Sequence, residues 1–83
     1  MDKETQKMIE KLKKKRIELG LSQNKLSKVI SVSNTTISRI EDYKMSPTLD
    51  MYIRLADALG FEVKLEPKRY FDNDISQMEN KKN

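Results

Sequence analysis

Apolar positions in the first twenty residues repeat at the spacing of an α-helix. The predicted helix begins between Asp2 and Thr5 and ends at Leu19, because the next residue, Gly20, is suited to a left-handed cap. Its inner face consists of Ile9, Leu12, Arg16 and Leu19, which recur at steps of three and four. One of the inward positions is therefore charged.

Two shorter helices follow in the pattern, separated by a tight turn at Ser31 and Val32. Ser22 and Ser33 are N-cap residue types, and each stands where a new helical period begins. The inward positions are Leu26, Val29 and Ile30 in the second helix and Val32, Ile37 and Ile40 in the third. The pattern predicts two short amphipathic helices joined by this turn.

Arg16 lies on the apolar face of the first helix, where a guanidinium group is costly unless a carboxylate meets it. Glu41 lies four residues beyond Ile37, on the inward edge of the third helix. Since periodicity places both charges inward, we expect Arg16 and Glu41 to form an internal ion pair.

A fourth helix over residues 49–59 carries the densest apolar set in the chain, and Gly60 ends it. Thr48 or Ser46 is its expected cap, next to Pro47. Its apolar residues are Leu49, Tyr52, Ile53, Leu55, Ala56 and Leu59. The expected fold class is all-α, with four to five helices around one small core.

Beyond this helix the period changes to two, which is typical of a strand over residues 61–66. Phe61, Val63 and Leu65 alternate with charged residues until Pro67. No second strand is found in the sequence, so the backbone groups of this strand lack a partner. We expect it to pair antiparallel with the same strand of a second copy. The alternative is an unpaired extended segment that packs on the body through Phe61 and Val63.

Residues 68–83 carry scattered apolar side chains with little periodicity. We expect a flexible tail there, with a possible short helix from Asp74 to Glu79. The predicted organisation is one domain over residues 1–67, including its dimerising strand, followed by this tail.

The composition excludes several kinds of site. With no Cys and no His, the chain lacks thiolate ligands, disulfides and the commonest general base. We therefore expect no catalytic residue, no metal and no cofactor, and nothing indicates a small-molecule ligand. No apolar run is long enough for a signal peptide or a membrane span, so a cytoplasmic location is expected.

The net charge of +4 permits a polyanionic partner. Lys11, Lys15 and Lys44 flank the two short helices and are candidates for phosphate contacts; the alternative is that they serve solubility. A third interpretation treats Lys3 to Arg16 as a membrane-surface helix. The core requires its apolar face, which also lacks large aromatic residues, so this interpretation is disfavoured.

The third helix has a polar outer face formed by Asn34, Thr35, Ser38 and Arg39. Asn and Arg can each form bidentate hydrogen bonds with base edges in a DNA major groove, and the Thr methyl group can contact thymine. The alternative is an ordinary solvated face. Because a second short helix precedes this one, we expect the face to contact bases.

The segment RIELGLSQNKLSKVISVSNTTISRIE, residues 16–41, resembles the Cro/cI-type (XRE) helix-turn-helix of phage repressors and bacterial regulators. The resemblance extends over residues 12–60 and is carried by LGLSQ, VSNTTISRIE and LADALG. It implies a lambda-repressor-like fold and binding to double-stranded DNA. On matching positions, Asn34, Thr35 and Arg39 are implied to read bases and Gln23 to approach a phosphate. Ser22 and Ser33 cap the two helices near the DNA backbone, and Arg16 and Glu41 match an internal ion pair of the family.

The chain departs from the family pattern in its loops. Ser31 stands where Gly is common in the turn, which puts the usual positive φ in doubt or makes it slightly strained. Tyr43 occupies a loop site that is often Gly. Asp42 places a negative charge where a phosphate contact is expected.

The resemblance implies a homodimeric, sequence-specific repressor that reads a pseudo-palindromic operator, with half-sites about one helical turn apart. The layout with one strand after the helices also resembles antitoxins of toxin–antitoxin operons, which repress their own operon. The alternative function is therefore an antitoxin that also binds and neutralises a cognate toxin.

Overall fold

The computed structural model describes residues 1–68, which contain four α-helices and no strand. The helices are α1 (Lys3–Glu18), α2 (Gln23–Ile30), α3 (Asn34–Glu41) and α4 (Leu49–Ala58). The all-α prediction is confirmed. The predicted helix from Asp74 to Glu79 lies outside the described residues, as does all of the predicted tail except Lys68. Within residues 1–68, no helix is both long and apolar enough to cross a bilayer.

Each helix begins after a polar residue whose side chain accepts a hydrogen bond from the backbone N–H three residues later. The four N-caps are Asp2, Ser22, Ser33 and Thr48. At the first of these, Asp2 Oδ1 accepts from the Thr5 N–H at 2.8 Å. This hydrogen bond to the charged form lowers the pKa of the Asp2 carboxyl group. Local sequence therefore fixes where the helices start.

Left-handed backbone follows the helices at two glycines and two other residues. Gly20 and Gly60 have φ of 70° and 85°, as expected after α1 and α4. Ser31 and Tyr43 have φ of 58° and 60° even though each carries a Cβ atom. Such a conformation costs roughly 1–2 kcal/mol for an L-residue. Both turns therefore adopt a positive φ without Gly, at a cost in strain.

The core draws side chains from all four helices and from the residue that ends α4. Its buried members are Ile9, Leu12, Leu26, Ile30, Ile37, Ile40, Leu55, Ala56 and Leu59. Val32, Met51 and Tyr52 pack against this cluster from its edge. The shared core fixes α3 with its apolar side inward.

Two residues that periodicity placed inward, Leu19 and Val29, are exposed, and those two predictions were wrong. Two apolar residues of α4, Leu49 and Ile53, are exposed as well. Val29 is 64% exposed, because Leu26, Ser27 and Ile30 form the buried side of the short helix α2. Leu49 is 72% exposed, because it is the first residue of α4. Periodicity identifies the face of a helix, but it does not give the width of the stripe that neighbours cover.

The segment over residues 61–66 forms no ladder with any other described part of the chain. The Phe61 N–H donates to the Ala56 carbonyl oxygen at 2.8 Å and continues the end of α4. A strand that pairs only with a second copy cannot appear in one chain, so the intermolecular pairing stays a prediction.

Candidate nucleic-acid interface

The outer face of α3 presents polar side chains that form no hydrogen bond within residues 1–68. Asn34, Thr35 and Arg39 are exposed, and Ser38 is half-buried. None of the side-chain hydrogen bonds among residues 1–68 involves these four residues. On the opposite side of the helix, Ile37 and Ile40 are almost fully buried. The face thus offers amide, hydroxyl and guanidinium groups that have no hydrogen-bond partner in the described part of the chain.

The turn before α3 fixes where this face begins. Ser33 Oγ accepts from the Thr36 N–H at 3.1 Å and lies 2.7 Å from Thr36 Oγ1. The Val32 N–H donates to the Ser27 carbonyl oxygen at 3.0 Å, which joins the turn to α2. Ser27 is buried, and its hydroxyl donates to the Asn24 carbonyl oxygen at 2.6 Å. A small side chain at this position is compatible with close packing of α2 against α3.

Arg16 and Glu41 meet between the ends of α1 and α3 in a bidentate ion pair. Arg16 Nε donates to Glu41 Oε2 at 2.6 Å, and Nη2 donates to Oε1 at 2.8 Å. Their side chains are only 11% and 7% exposed. Arg16 Nη1 also donates to the Leu21 carbonyl oxygen at 2.7 Å. The structure thus brings together the two charges that periodicity placed inward.

Gln23 completes this network from the first turn of α2. Its Nε2 donates to Glu41 Oε1 at 2.9 Å, so the carboxylate accepts three hydrogen bonds. No buried side-chain polar atom in the described part of the chain lacks a partner. We call Arg16, Leu21, Gln23 and Glu41 the anchoring network, because together they join α1 and the start of α2 to the end of α3.

Arg54 is a supporting residue that sequence reasoning missed. Its Nη2 donates to the Ile30 carbonyl oxygen, one of the carbonyl groups at the C-terminus of α2 that have no partner within the helix. Every residue carries a backbone carbonyl, so the sequence holds no signal for this acceptor. The contact ties α4 to the helix before the turn.

The lysines predicted to contact the DNA phosphate backbone are spread over the surface of the protein. Lys15 Nζ lies 3.8 Å from Glu18 Oε2, an exposed pair of little energetic weight. Lys11 lies at a cleft that Met8 and Tyr52 also line. Lys44 is exposed in the loop after α3. Within residues 1–68, no group of three His, Cys, Asp or Glu side chains could hold a metal ion.

The chain matches a protein-family model and a curated protein. A helix-turn-helix family model matches residues 12–65. A curated protein of Aeropyrum pernix, which bears the name of an HTH-type transcriptional regulatory protein, is 41% identical over 58 residues. The aligned part is 70% of this chain but only 17% of that protein, so the chain spans a small fraction of its relative. No solved structure matches the chain.

Proposed function

The chain belongs to the XRE-type helix-turn-helix family of DNA-binding transcriptional regulators, and on that premise we propose that it is a homodimeric repressor that reads a pseudo-palindromic operator. The observation that carries the proposal is the outer face of α3. Its polar side chains have no hydrogen-bond partner on the described part of their own chain. Its inner side is fixed in the core.

The residues of this face suit the major groove. Asn34 can pair with adenine N6 and N7, and Arg39 can pair with guanine O6 and N7. The Thr35 methyl group can contact the methyl group of thymine, and the Ser38 hydroxyl can donate or accept. Each good bidentate pair discriminates against a wrong base by about 1–3 kcal/mol. Two or three such contacts give a half-site a defined sequence.

The anchoring network supports this reading because it limits how α3 can shift or rotate. Gln23 gives one Nε2 hydrogen to Glu41, which leaves the other for a DNA phosphate. Ser22, Ser33, Lys11, Lys15 and Lys44 are the other proposed backbone contacts. Phosphate contacts position the protein and make its affinity depend on salt, whereas base contacts give it sequence preference.

Residues 61–66 are the segment through which we propose that the chain pairs with a second copy. Antiparallel pairing of this segment across a two-fold axis joins two domains of residues 1–67 and presents two copies of α3. A two-fold symmetric reader matches an operator whose half-sites are related by the same symmetry, about one helical turn apart. We propose repression because residues 16–41 resemble the helix-turn-helix of phage repressors, and a dimer that covers a promoter would obstruct polymerase.

The proposal is tested with the triple variant Asn34→Ala/Thr35→Ala/Arg39→Ala and the control Lys7→Ala, which removes the same charge from an exposed site on α1. DNA selected by the wild-type protein is used in binding assays and as an in vitro transcription template. We expect the wild type and the control to bind this site and lower transcription, and the triple variant to bind it no better than random DNA. Sequence preference retained by the triple variant would contradict the proposal, and increased transcription would contradict repression.

A second candidate function is that of an antitoxin, which autorepresses its operon and binds a cognate toxin. The observation that favours it is the exposed apolar surface outside α3. Leu49, for example, is 72% exposed. Co-expression with the product of the neighbouring gene tests it. A stable complex that Leu49→Lys weakens would support an antitoxin, whereas no complex with that product would count against one.

A further inference from the structure

We propose that two copies of the chain pair through residues 61–65 in one register, antiparallel and centred on Val63, so that Leu65 of each copy covers Phe61 of the other. The inference rests on the homodimer proposed above and specifies which residues meet in it. It follows from exposure, from charge and from the end of the strand.

The segment leaves both apolar side chains and backbone groups without cover. Leu65 is 98% exposed, and Phe61 and Val63 are 38% and 39% exposed. Within residues 1–68, the backbone groups of residues 62–68 form no hydrogen bond with another backbone group. A second strand would supply partners for the backbone and an apolar neighbour for Leu65.

Alternation limits the registers that such a pair can adopt. In an antiparallel pair, residues directly opposite each other point to the same face of the sheet. A one-residue slip would therefore place apolar residues of one copy opposite charged residues of the other. Only registers centred on a residue of the segment keep the two apolar faces together.

Charge then separates these registers. Centring on Val63 places Glu62 opposite Lys64 of the second copy, twice by symmetry. Centring on Glu62 would place that residue opposite itself, and centring on Lys64 would do the same for the lysine. Like charges directly opposed destabilise a strand pair, whereas opposite charges stabilise it. Both of the latter registers are therefore disfavoured.

Backbone geometry removes the two registers at the ends. Centring on Leu65 brings Pro67 into the ladder opposite Val63, and proline has no N–H to donate. Centring on Phe61 requires Leu59 and Gly60 in the ladder, but Gly60 has φ of 85° and Leu59 is buried at the end of α4. The register centred on Val63 avoids both conflicts.

The body of the molecule offers a place for the incoming leucine. Phe61 and Val63 line a surface cleft of about 260 Å³ together with Met8 and Tyr52 of α1 and α4. In the proposed register, Leu65 of the second copy lies opposite Phe61, with about 5 Å between their Cβ atoms. Leu65 of the second copy thus extends the apolar surface at the rim of this cleft. The partner that we propose for this surface is a second copy of the chain.

Single-cysteine variants test the register, because the chain has no cysteine of its own. We expect Val63→Cys to form a disulfide with its counterpart under mild oxidation. Glu62→Cys, Lys64→Cys and Leu65→Cys should not, because their Cα atoms lie more than about 7 Å from their own counterparts in this register. Efficient linking by one of these three instead would overturn the register.

Charge reversal gives a second test that does not depend on oxidation. Glu62→Lys alone should raise the dimer dissociation constant about tenfold, because two favourable cross-strand pairs become repulsive. Glu62→Lys/Lys64→Glu should restore it to within about threefold of the wild type. A register centred on Leu65 predicts the opposite, since the double variant would then oppose like charges at residues 62 and 68 and at residues 64 and 66.

The mass in solution and operator binding are measured on the same samples. A dimer that links at another residue would overturn the register and leave the proposed function intact. A monomer at every concentration would overturn the register together with the dimer, while sequence-specific binding would still support DNA recognition by α3. Linking at Val63 in a dimer that lacks sequence preference would support the register and contradict the proposed function.

Discussion

Residues 16–41 and residues 61–66 differ in where their hydrogen bonds and apolar contacts are found. In the first region, the Glu41 carboxylate accepts three hydrogen bonds, the core residues of α2 and α3 are buried, and the polar side chains on the outer face of α3 form no hydrogen bond within residues 1–68. In the second region, the described chain supplies no backbone partner for residues 62–66 and no cover for Leu65. The first region is thus specified by its own chain.

The two surfaces left free differ in chemistry, and this difference indicates their partners. The face of α3 is polar and rigidly held, which suits the donors and acceptors of base edges. The segment over residues 61–66 alternates apolar and charged residues and has free backbone groups, which suits another strand. Four predictions test whether the first region is anchored by its own chain and whether the second depends on a second copy.

The largest expected effect concerns the anchoring network. Arg16→Met should lower the free energy of unfolding by about 3–5 kcal/mol, because it leaves the Glu41 carboxylate buried without its cation. Arg16→Met/Glu41→Leu should recover most of the loss, because no charge is left unpaired. Urea denaturation at one protein concentration measures both values. Equal losses would show that the pair does not act as a buried unit.

The second effect concerns the free polar face of α3. Arg39→Ala should weaken binding to the selected operator by about 1–3 kcal/mol and relax the preference at one base pair. Fluorescence anisotropy on operator and random duplexes at one salt concentration measures the difference. Lys7→Ala is the matched control. An equal loss on both duplexes would instead make Arg39 a phosphate contact.

The third effect concerns the strand segment. Val63→Pro should weaken the dimer by roughly 1 kcal/mol per chain, because proline cannot donate to the ladder. The helical circular dichroism signal should not change, because residues 61–66 lie outside all four helices. Light scattering over a range of concentrations measures the mass. An unchanged dimer would contradict pairing through this strand.

The smallest effect concerns the turn at Ser31, within residues 16–41. Ser31→Gly should raise the free energy of unfolding by roughly 0.5–1 kcal/mol, because removal of the Cβ atom relieves strain at the left-handed position. The greater flexibility of glycine in the unfolded chain offsets part of this gain. Ser31→Ala keeps the Cβ atom and should give no such gain. Thermal melting of both variants measures the difference. A gain from alanine equal to that from glycine would count against strain at Ser31.

Much of the structure of residues 16–41 can be predicted from the local sequence. The N-caps Ser22 and Ser33 are hydroxyl residues at the points where a new helical repeat of apolar residues begins. The pairing of Arg16 with Glu41 follows because periodicity places both charges inward. The hydrogen bond from Gln23 to Glu41 does not follow, because it depends on the rotamer of one side chain. The exposure of Val29 and Leu49 likewise depends on how far neighbouring helices reach.

For residues 61–66, the sequence pattern predicts a pairing between two copies, which the structure of a single chain cannot display. Its alternation of apolar and charged residues predicts a strand, but a strand is defined by its partner, and the partner proposed here is a second copy. Tyr43 is a further case, since its residue type argues against the left-handed conformation that it adopts.

Selection of bound sequences from a random pool of DNA duplexes is the most direct test of the central claim, that two copies of α3 read one operator. We expect enrichment of an inverted repeat whose half-sites are about one helical turn apart. Arg39→Ala should relax the same base pair in both halves. Enrichment of a single unrepeated site, or of no sequence at all, would contradict reading by two copies of α3.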